Sequence, residues 1–256
     1  MMSEEKQMGI YIFCGIQTEG NEEFGDIEIE GEKRELFTVH YKDAAMVAAE
    51  VPMKIFHPNK ENLLMHQNAV SLVMKQNETV IPVSFGNVFH SKEDVRVLLE
   101  NLYPQFEKLF PEIKGKIELG LKVVGKKEWL ESLVNENSEI ERMAKAVQGK
   151  SEAASYYQRI QLGGAAQKLI MSLQEELKQE ILNPLKEIAV ASKTNEPIGE
   201  RMLLNASFLV DRDKEEIFDQ KVNEAYEQWE DKAEFSYSGP WAAYNFVNIR
   251  LTVEDA

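Results

Sequence analysis

The chain is short of the residues that most often carry chemistry. Cys14 is its single cysteine among 256 residues, which excludes a disulfide framework and a thiolate metal site. It sits inside the apolar run 10–16, where an inert buried thiol is expected. The four histidines, His40, His57, His66 and His90, form neither an HExxH motif nor an i, i+4 pair, so no metal site is expected. His66, followed by Gln67 and Asn68, is the best isolated candidate and reads as a structural histidine, because no carboxylate partner can be named for it. The glycines form neither a GxxxxGK[ST] phosphate loop nor a GxGxxG turn, and Ser84 before Phe85-Gly86 is not set in a GxSxG elbow. Cations are outnumbered, 29 Lys and Arg against 44 Asp and Glu for a net charge of −15. Nucleic acid and anionic lipid, both of which need clustered cations, are therefore excluded as partners. No apolar run approaches the roughly 18 residues needed to cross a bilayer. The beginning, MMSEEKQMG, lacks the basic-then-apolar pattern of a signal peptide, and a cytoplasmic protein is expected. The carboxylates are spread along helix faces and loops with no separable acid–base pair. No catalytic residue, metal or cofactor is expected.

What is present is apolar residues, at 43% enough for well-packed cores, and one concentration of aromatics. Residues 235–247 read FSYSGPWAAYNFV, with Phe235, Tyr237, Trp241, Tyr244 and Phe246 around the fixed break Gly239-Pro240. Such a segment must pack against something, either the core or a partner. Tyr156-Tyr157, beside Arg159, is a second aromatic site, able to anchor a helix or meet a ligand ring.

Two domains are expected from the length. In the first, 9–16 and 35–41 read as strands and 20–34 as a loop or ragged hairpin. Asp43 reads as the cap of a short helix ended by Pro52, and 59–74 as a helix. TVIPVSF at 79–85 reads as an edge strand because of its proline. Two helical stretches follow to about Phe110, punctuated by Pro104 and Pro111. From Lys116 the order is strand, helix, strand, strand, helix, strand. The strands are 117–124, a hairpin of 184–192 with 201–210, and 233–238; the helices are the long stretch 151–182 and 211–230. The stripe Leu162, Ala166, Leu169, Ile170, Leu173, Leu177 and Ile181 marks the buried face of the long helix. Gly163-Gly164 interrupts it, as a close crossing, a bend or the true helix start. The fold class is thus α+β: a smaller α+β unit over 1–115, then a ferredoxin-like βαββαβ domain over 116–237 with an antiparallel sheet and its helices on one face. A tail, 238–256, is expected to pack at the domain junction.

Five blocks in order resemble the gas vesicle accessory proteins of the GvpF/GvpL family. They are HQNAV at 66–70, TVIPVSFG at 79–86, IELGLKV at 117–123, NASFLV at 205–210 and SGPWAAYNFV at 238–247. Ala242-Ala243 stand where that family usually carries Pro-Pro, and Ser84 where Arg is common. The resemblance implies two α+β domains, the second ferredoxin-like, and a non-catalytic role in gas vesicle formation. It implies the hydrophobic shell protein and other accessory proteins as partners. A contact surface is expected from Phe85, Gly86, Tyr156, Tyr157, Gly239, Pro240, Trp241, Tyr244 and Phe246, gathered at the domain junction; alternatively these residues only join the domains. The competing function is a small-ligand-binding regulatory protein, since ferredoxin-like sheets often bind metabolites.

Overall fold

The computed structural model describes residues 7–249, which divide into two compact units. One comprises the chain up to Glu118 together with the segment from Pro240 onward, and the other runs from Leu119 to Gly239. Each is built of helices and antiparallel-paired strands, a mixed α+β fold.

The first unit contains β1 (Met8–Gln17), β2 (Asp26–Ile29), β3 (Glu32–Glu35), β4 (Phe37–Tyr41), β5 (Ala44–Pro52), α1 (Lys60–Met74), β6 (Val80–Pro82), β7 (Val88–Phe89) and α2 (Lys92–Ile113). The strand order is β4-β5-β1-β6, with β7 also pairing to β1. β1 is buried from Gly9 to Ile16 without a break, as a central strand covered on both faces must be. Packing there is tight enough that a Cβ built on Gly15 would lie 2.3 Å from the Phe106 ring of α2. Residues 20–34 contain a regular hairpin: β2 and β3 pair through four residues each, around Glu30 and Gly31 with φ of 54° and 79°. That is the positive-φ pair a two-residue hairpin loop requires.

Two expectations fail in this unit. Residues 44–52 form a strand rather than a helix. Six alanine-rich residues in a row, Ala44–Ala49, are buried between β4 and β1, and two-sided burial outweighs the helix preference of alanine. Asp43 is a turn anchor instead of a cap: it accepts from the Tyr103 hydroxyl at 2.6 Å and from Gln17 Nε2 at 3.0 Å. These bonds hold its carboxyl below the usual range. The two helices expected to break at proline are one helix, α2, which runs through Pro104 and Pro111. Its stripe of Val95, Leu99, Leu102, Tyr103, Phe106, Phe110 and Ile113 is buried, and about seven such side chains outweigh a few kcal/mol per interior proline.

The remaining elements are β8 (Lys116–Gly125), α3 (Lys127–Glu136), α4 (Ser138–Val147), α5 (Glu152–Leu177), a π turn (Lys178–Leu182), α6 (Asn183–Ile188), β9 (Ala191–Thr194), β10 (Met202–Asp211), α7 (Glu215–Trp229) and β11 (Ala233–Trp241). Their sheet runs β11-β8-β10-β9. Ile117, Leu119, Leu121 and Val123 of β8 are buried as their alternation predicts. β10 is buried along nine residues, and Phe208 meets Phe218 of α7 at 5.1 Å between ring centres. Trp229 is anchored by its indole N–H, which donates to Glu180 at 3.1 Å.

Three further differences concern helix and strand ends. α5 passes straight through Gly163-Gly164, and a Cβ built on either glycine meets nothing within 4 Å. The pair marks neither a close crossing among the described residues nor a helix start. The strand expected from Pro184 begins only at Ala191, because the helix continues through the π turn into α6. A wide turn frees the backbone where Pro184 has no donor. β11 extends beyond Ser238 to Trp241, taking Gly239 (φ 130°) and Pro240 as strand residues on an exposed stretch.

Candidate functional site

The best-defined polar constellation lies in the first unit, around the turn that follows β6. The Gly86 N–H donates to the Tyr11 hydroxyl oxygen at 2.9 Å, the Tyr11 O–H lies 3.0 Å from His66 Nδ1, and His66 Nε2 lies 3.2 Å from the Val83 carbonyl. A carbonyl can only accept, so the Val83 contact places a proton on His66 Nε2. Burial favours the neutral ring, in which Nδ1 accepts from the Tyr11 hydroxyl. Burial lowers the His66 pKa to about 4 and raises that of Tyr11 to about 12. Phe13, Phe56 and Phe85 surround Tyr11 with ring centres 4.7, 5.3 and 6.3 Å away. Gly86 has φ of 93°, which a side chain would strain. The group is a structural lock on the Ser84–Asn87 turn, with no proton to give or take near neutrality. Cys14 is buried in β1, and its thiol is pushed far up by burial.

The terminal segment is fixed by a contact that sequence reasoning missed. The Asn245 N–H donates to Glu118 Oε2 at 2.8 Å, and its side-chain amide donates to Oε1 of the same carboxylate. Glu118 is buried. The alternation of β8 places it opposite Ile117 and Leu119, on the face that reads as solvent-exposed. On that face Glu118 alone is buried, where Asn245 of the terminal segment meets it. Ala242 and Ala243 are each 2% exposed, so methyl groups fill the positions next to Trp241, which is itself half-buried. Tyr244 leaves 38% of its surface exposed while burial of the hydroxyl pushes its pKa up.

Phe85 and Gly86 thus share a unit with Pro240, Trp241, Tyr244 and Phe246. The turn and the segment border one cleft of about 430 Å³, lined by Ile12, Pro82, Phe106, Val247 and Ile249, with Ser84 and Asn87 on one side and Tyr244 on the other. Gly239 and Pro240 are exposed. Tyr156 and Tyr157 belong to the second unit. They stand out from α5, 60% and 80% exposed, in edge-to-face contact at 5.5 Å.

The larger pocket, about 800 Å³, lies in the second unit between α3 and the start of β10. Of its charged groups, Lys127 pairs with Glu131 at 3.7 Å and an Arg201 guanidinium N–H donates to the Gly125 carbonyl at 3.4 Å, while Glu200 lines it as an exposed carboxylate. Among the described residues no group of three or more His, Cys, Asp or Glu side chains could hold a metal ion, and no helix is long and apolar enough to cross a membrane.

Comparison with known proteins gives a single answer. Gas vesicle protein F1 of Halobacterium salinarum is 24% identical over 231 residues, covering 90% of this chain and 89% of that one. Gas vesicle protein F of Haloferax mediterranei is 24% identical over 243 residues, covering 92% and 94%. The crystal structure of gas vesicle protein GvpF from Anabaena sp. PCC7120 superposes with a TM-score of 0.81 at 21% identity, covering 95% of this chain and 99% of that one. GvpF from Microcystis aeruginosa gives 0.75 at 16% identity, covering 93% and 98%. The family described as gas vesicle synthesis protein GvpL/GvpF matches residues 9–248. The chain belongs to the GvpL/GvpF family of gas vesicle synthesis proteins.

Proposed function

We propose that the chain is a non-catalytic accessory protein that binds the hydrophobic shell protein of gas vesicles and assists its nucleation or assembly. Family membership supports the gas vesicle role. The observation that carries the finer reading is the apolar cleft closed by the terminal segment and the Ser84–Asn87 turn. Its lining is mostly aliphatic and aromatic, and its neighbouring titratable groups, His66 and Tyr11, are fully engaged in holding the turn. A site of that kind offers contact area rather than proton transfer. A shell subunit with an apolar face aggregates unless that face is covered, and a soluble acidic chain bearing a small apolar site can cover it and release it into a growing wall.

The partner-contacting residues in this reading are Phe85, Gly86, Gly239, Pro240, Trp241, Tyr244 and Phe246, with Tyr156 and Tyr157 as a second set on α5. The element order of the second unit, with its sheet order β11-β8-β10-β9, supports reading it as ferredoxin-like. The competing small-ligand reading is disfavoured by the 800 Å³ pocket, whose two cations, Lys127 and Arg201, are already partnered within the chain.

Two experiments test the function. Deleting the gene in a vesicle-forming host abolishes floating cells, and restoring it brings them back; vesicles formed normally without the gene contradict the reading. Purified chain retains tagged shell protein, and Trp241→Ala weakens that retention. If retention persists in Trp241→Ala while the fold melts earlier, Trp241 serves the core and not the partner.

A further inference from the structure

β4 is an outer strand of the first sheet, and its free edge differs from the other sheet edges of this chain. Its strand partner is β5, in a register that pairs Phe37 with Ala48 and Tyr41 with Ala44. Lys42 and Asp43 close this hairpin, Lys42 with φ of 54°. In a two-residue hairpin the residues flanking the loop exchange backbone bonds, and bonding alternates from there. Phe37, Val39 and Tyr41 therefore bond to β5, and the N–H and C=O groups of Thr38 and His40 point away from it. Among the described residues neither backbone has a partner on that outer side. The contact of His40 Nε2 with Thr38 Oγ1, at 2.7 Å, stays within the strand.

Open edges pair with other chains unless proline, lysine or another charge guards them. β6 carries Pro82, β9 carries Lys193, and β11 carries Glu234 and Pro240. The β2–β3 hairpin is charged on both strands. β4 reads FTVHY. Among the described edge strands longer than two residues, it alone holds neither proline nor Asp, Glu, Lys or Arg.

A row of unpaired backbone groups is matched by another strand, and β4 is complementary to itself. Antiparallel pairing about a two-fold axis at Val39 sets Thr38 against His40, Val39 against Val39 and Phe37 against Tyr41. Thr38 and His40 then exchange the backbone bonds. Phe37 and Tyr41 fall at closely spaced non-bonded positions, where aromatic side chains meet across strands. No like charges stand opposite each other. Either neighbouring register is worse, since it sets Tyr41 against Glu35 or Phe37 against Asp43. Charge on α2 favours the same register. The Lys92 ammonium lies 4.0 Å over the Phe37 ring, and Glu100 accepts from the Tyr41 hydroxyl at 3.3 Å. With Phe37 opposite Tyr41, the cation on each copy stands toward the carboxylate on the other.

We propose that the β4 edge pairs antiparallel with the β4 edge of a second copy of this chain, joining two sheets across a two-fold axis at Val39.

The test uses the full chain at physiological salt, which screens the repulsion between two chains of net charge −15. Sedimentation equilibrium should show a concentration-dependent dimer. His40→Pro and Thr38→Pro each remove one outward donor and leave the bonds to β5 intact. Each should weaken the dimer roughly tenfold or more while keeping the circular dichroism of the parent. Lys92→Glu should weaken it as well. Val39→Cys reads the register directly, because a non-bonded antiparallel pair holds its Cα atoms about 4.5 Å apart, within disulfide reach. Mild oxidation should link two copies through Val39→Cys and not through Thr38→Cys, with Cys14 buried and out of competition. Should the proline variants unfold, the two cysteine variants decide alone. The proposal is overturned if the chain stays monomeric up to the millimolar range, or if the folded proline variants dimerise as the parent does. It is also overturned if Val39→Cys links no better than Thr38→Cys. A monomeric chain whose retention of shell protein falls in His40→Pro overturns it in favour of a foreign strand on the same edge.

Discussion

Two aromatic-and-glycine regions of this molecule look alike in sequence and are used in opposite ways. Around Gly86, a hydrogen-bonded chain through Tyr11, His66 and the Val83 carbonyl locks the turn, with the Phe56 and Phe85 rings against Tyr11. Around Gly163-Gly164, a Cβ on either glycine would meet nothing within 4 Å among the described residues, and the tyrosines are exposed. A glycine with φ of 93° answers a demand of the backbone. A glycine pair in a regular helix answers none and costs helix propensity. The contrast separates a turn held in one geometry by its own hydrogen bonds from a helix stretch whose glycines meet no neighbouring side chain among the described residues.

The largest effect should come from the locked side. Glu118→Ala removes the charged acceptor of two Asn245 donors in a part-buried site, at a cost of about 3 kcal/mol. Urea unfolding with unchanged slope checks this, and Glu118→Gln, which keeps one acceptor oxygen, should lose less. A loss below about 1 kcal/mol would remove the terminal segment from the locked category.

Next comes pH. His66 titrates at about 4 in the fold against roughly 6.5 when unfolded. The unfolded chain therefore takes up the proton first. Its contribution is complete above about pH 6.5 and is lost as pH falls toward 4, by up to about 3 kcal/mol. The difference in stability between the parent and His66→Gln should accordingly shrink across that window. A difference independent of pH would mean that the imidazole is not held neutral.

On the open side the sign reverses. Gly163→Ala and Gly164→Ala should each stabilise the free chain by about 1 kcal/mol, because helix propensity is gained and nothing is displaced. A destabilising result from thermal melts would reveal a close neighbour and cancel the contrast. Smallest of all, Tyr157→Ala should leave stability within about 0.5 kcal/mol of the parent.

Periodicity made much of the fold legible. The alternation of β8 and the stripes of α1 and α7 were readable because one face of each meets the core and the other meets water. Misreadings cluster where burial is two-sided or where a local breaker is overruled. The alanine-rich β5 shows no alternation because both its faces are covered, and α2 keeps its prolines because its buried stripe is long. The aromatic residues of the candidate site stood out by type alone. Glu118 did not, since a carboxylate on the outward face of a strand looks solvated until the segment that covers it is in place.

Aggregation of the purified shell protein, followed by light scattering with and without an equimolar amount of this chain, tests the central claim most directly. The account predicts that the chain suppresses scattering and that Trp241→Ala suppresses it less while remaining folded. Scattering unchanged by the folded parent chain would contradict it.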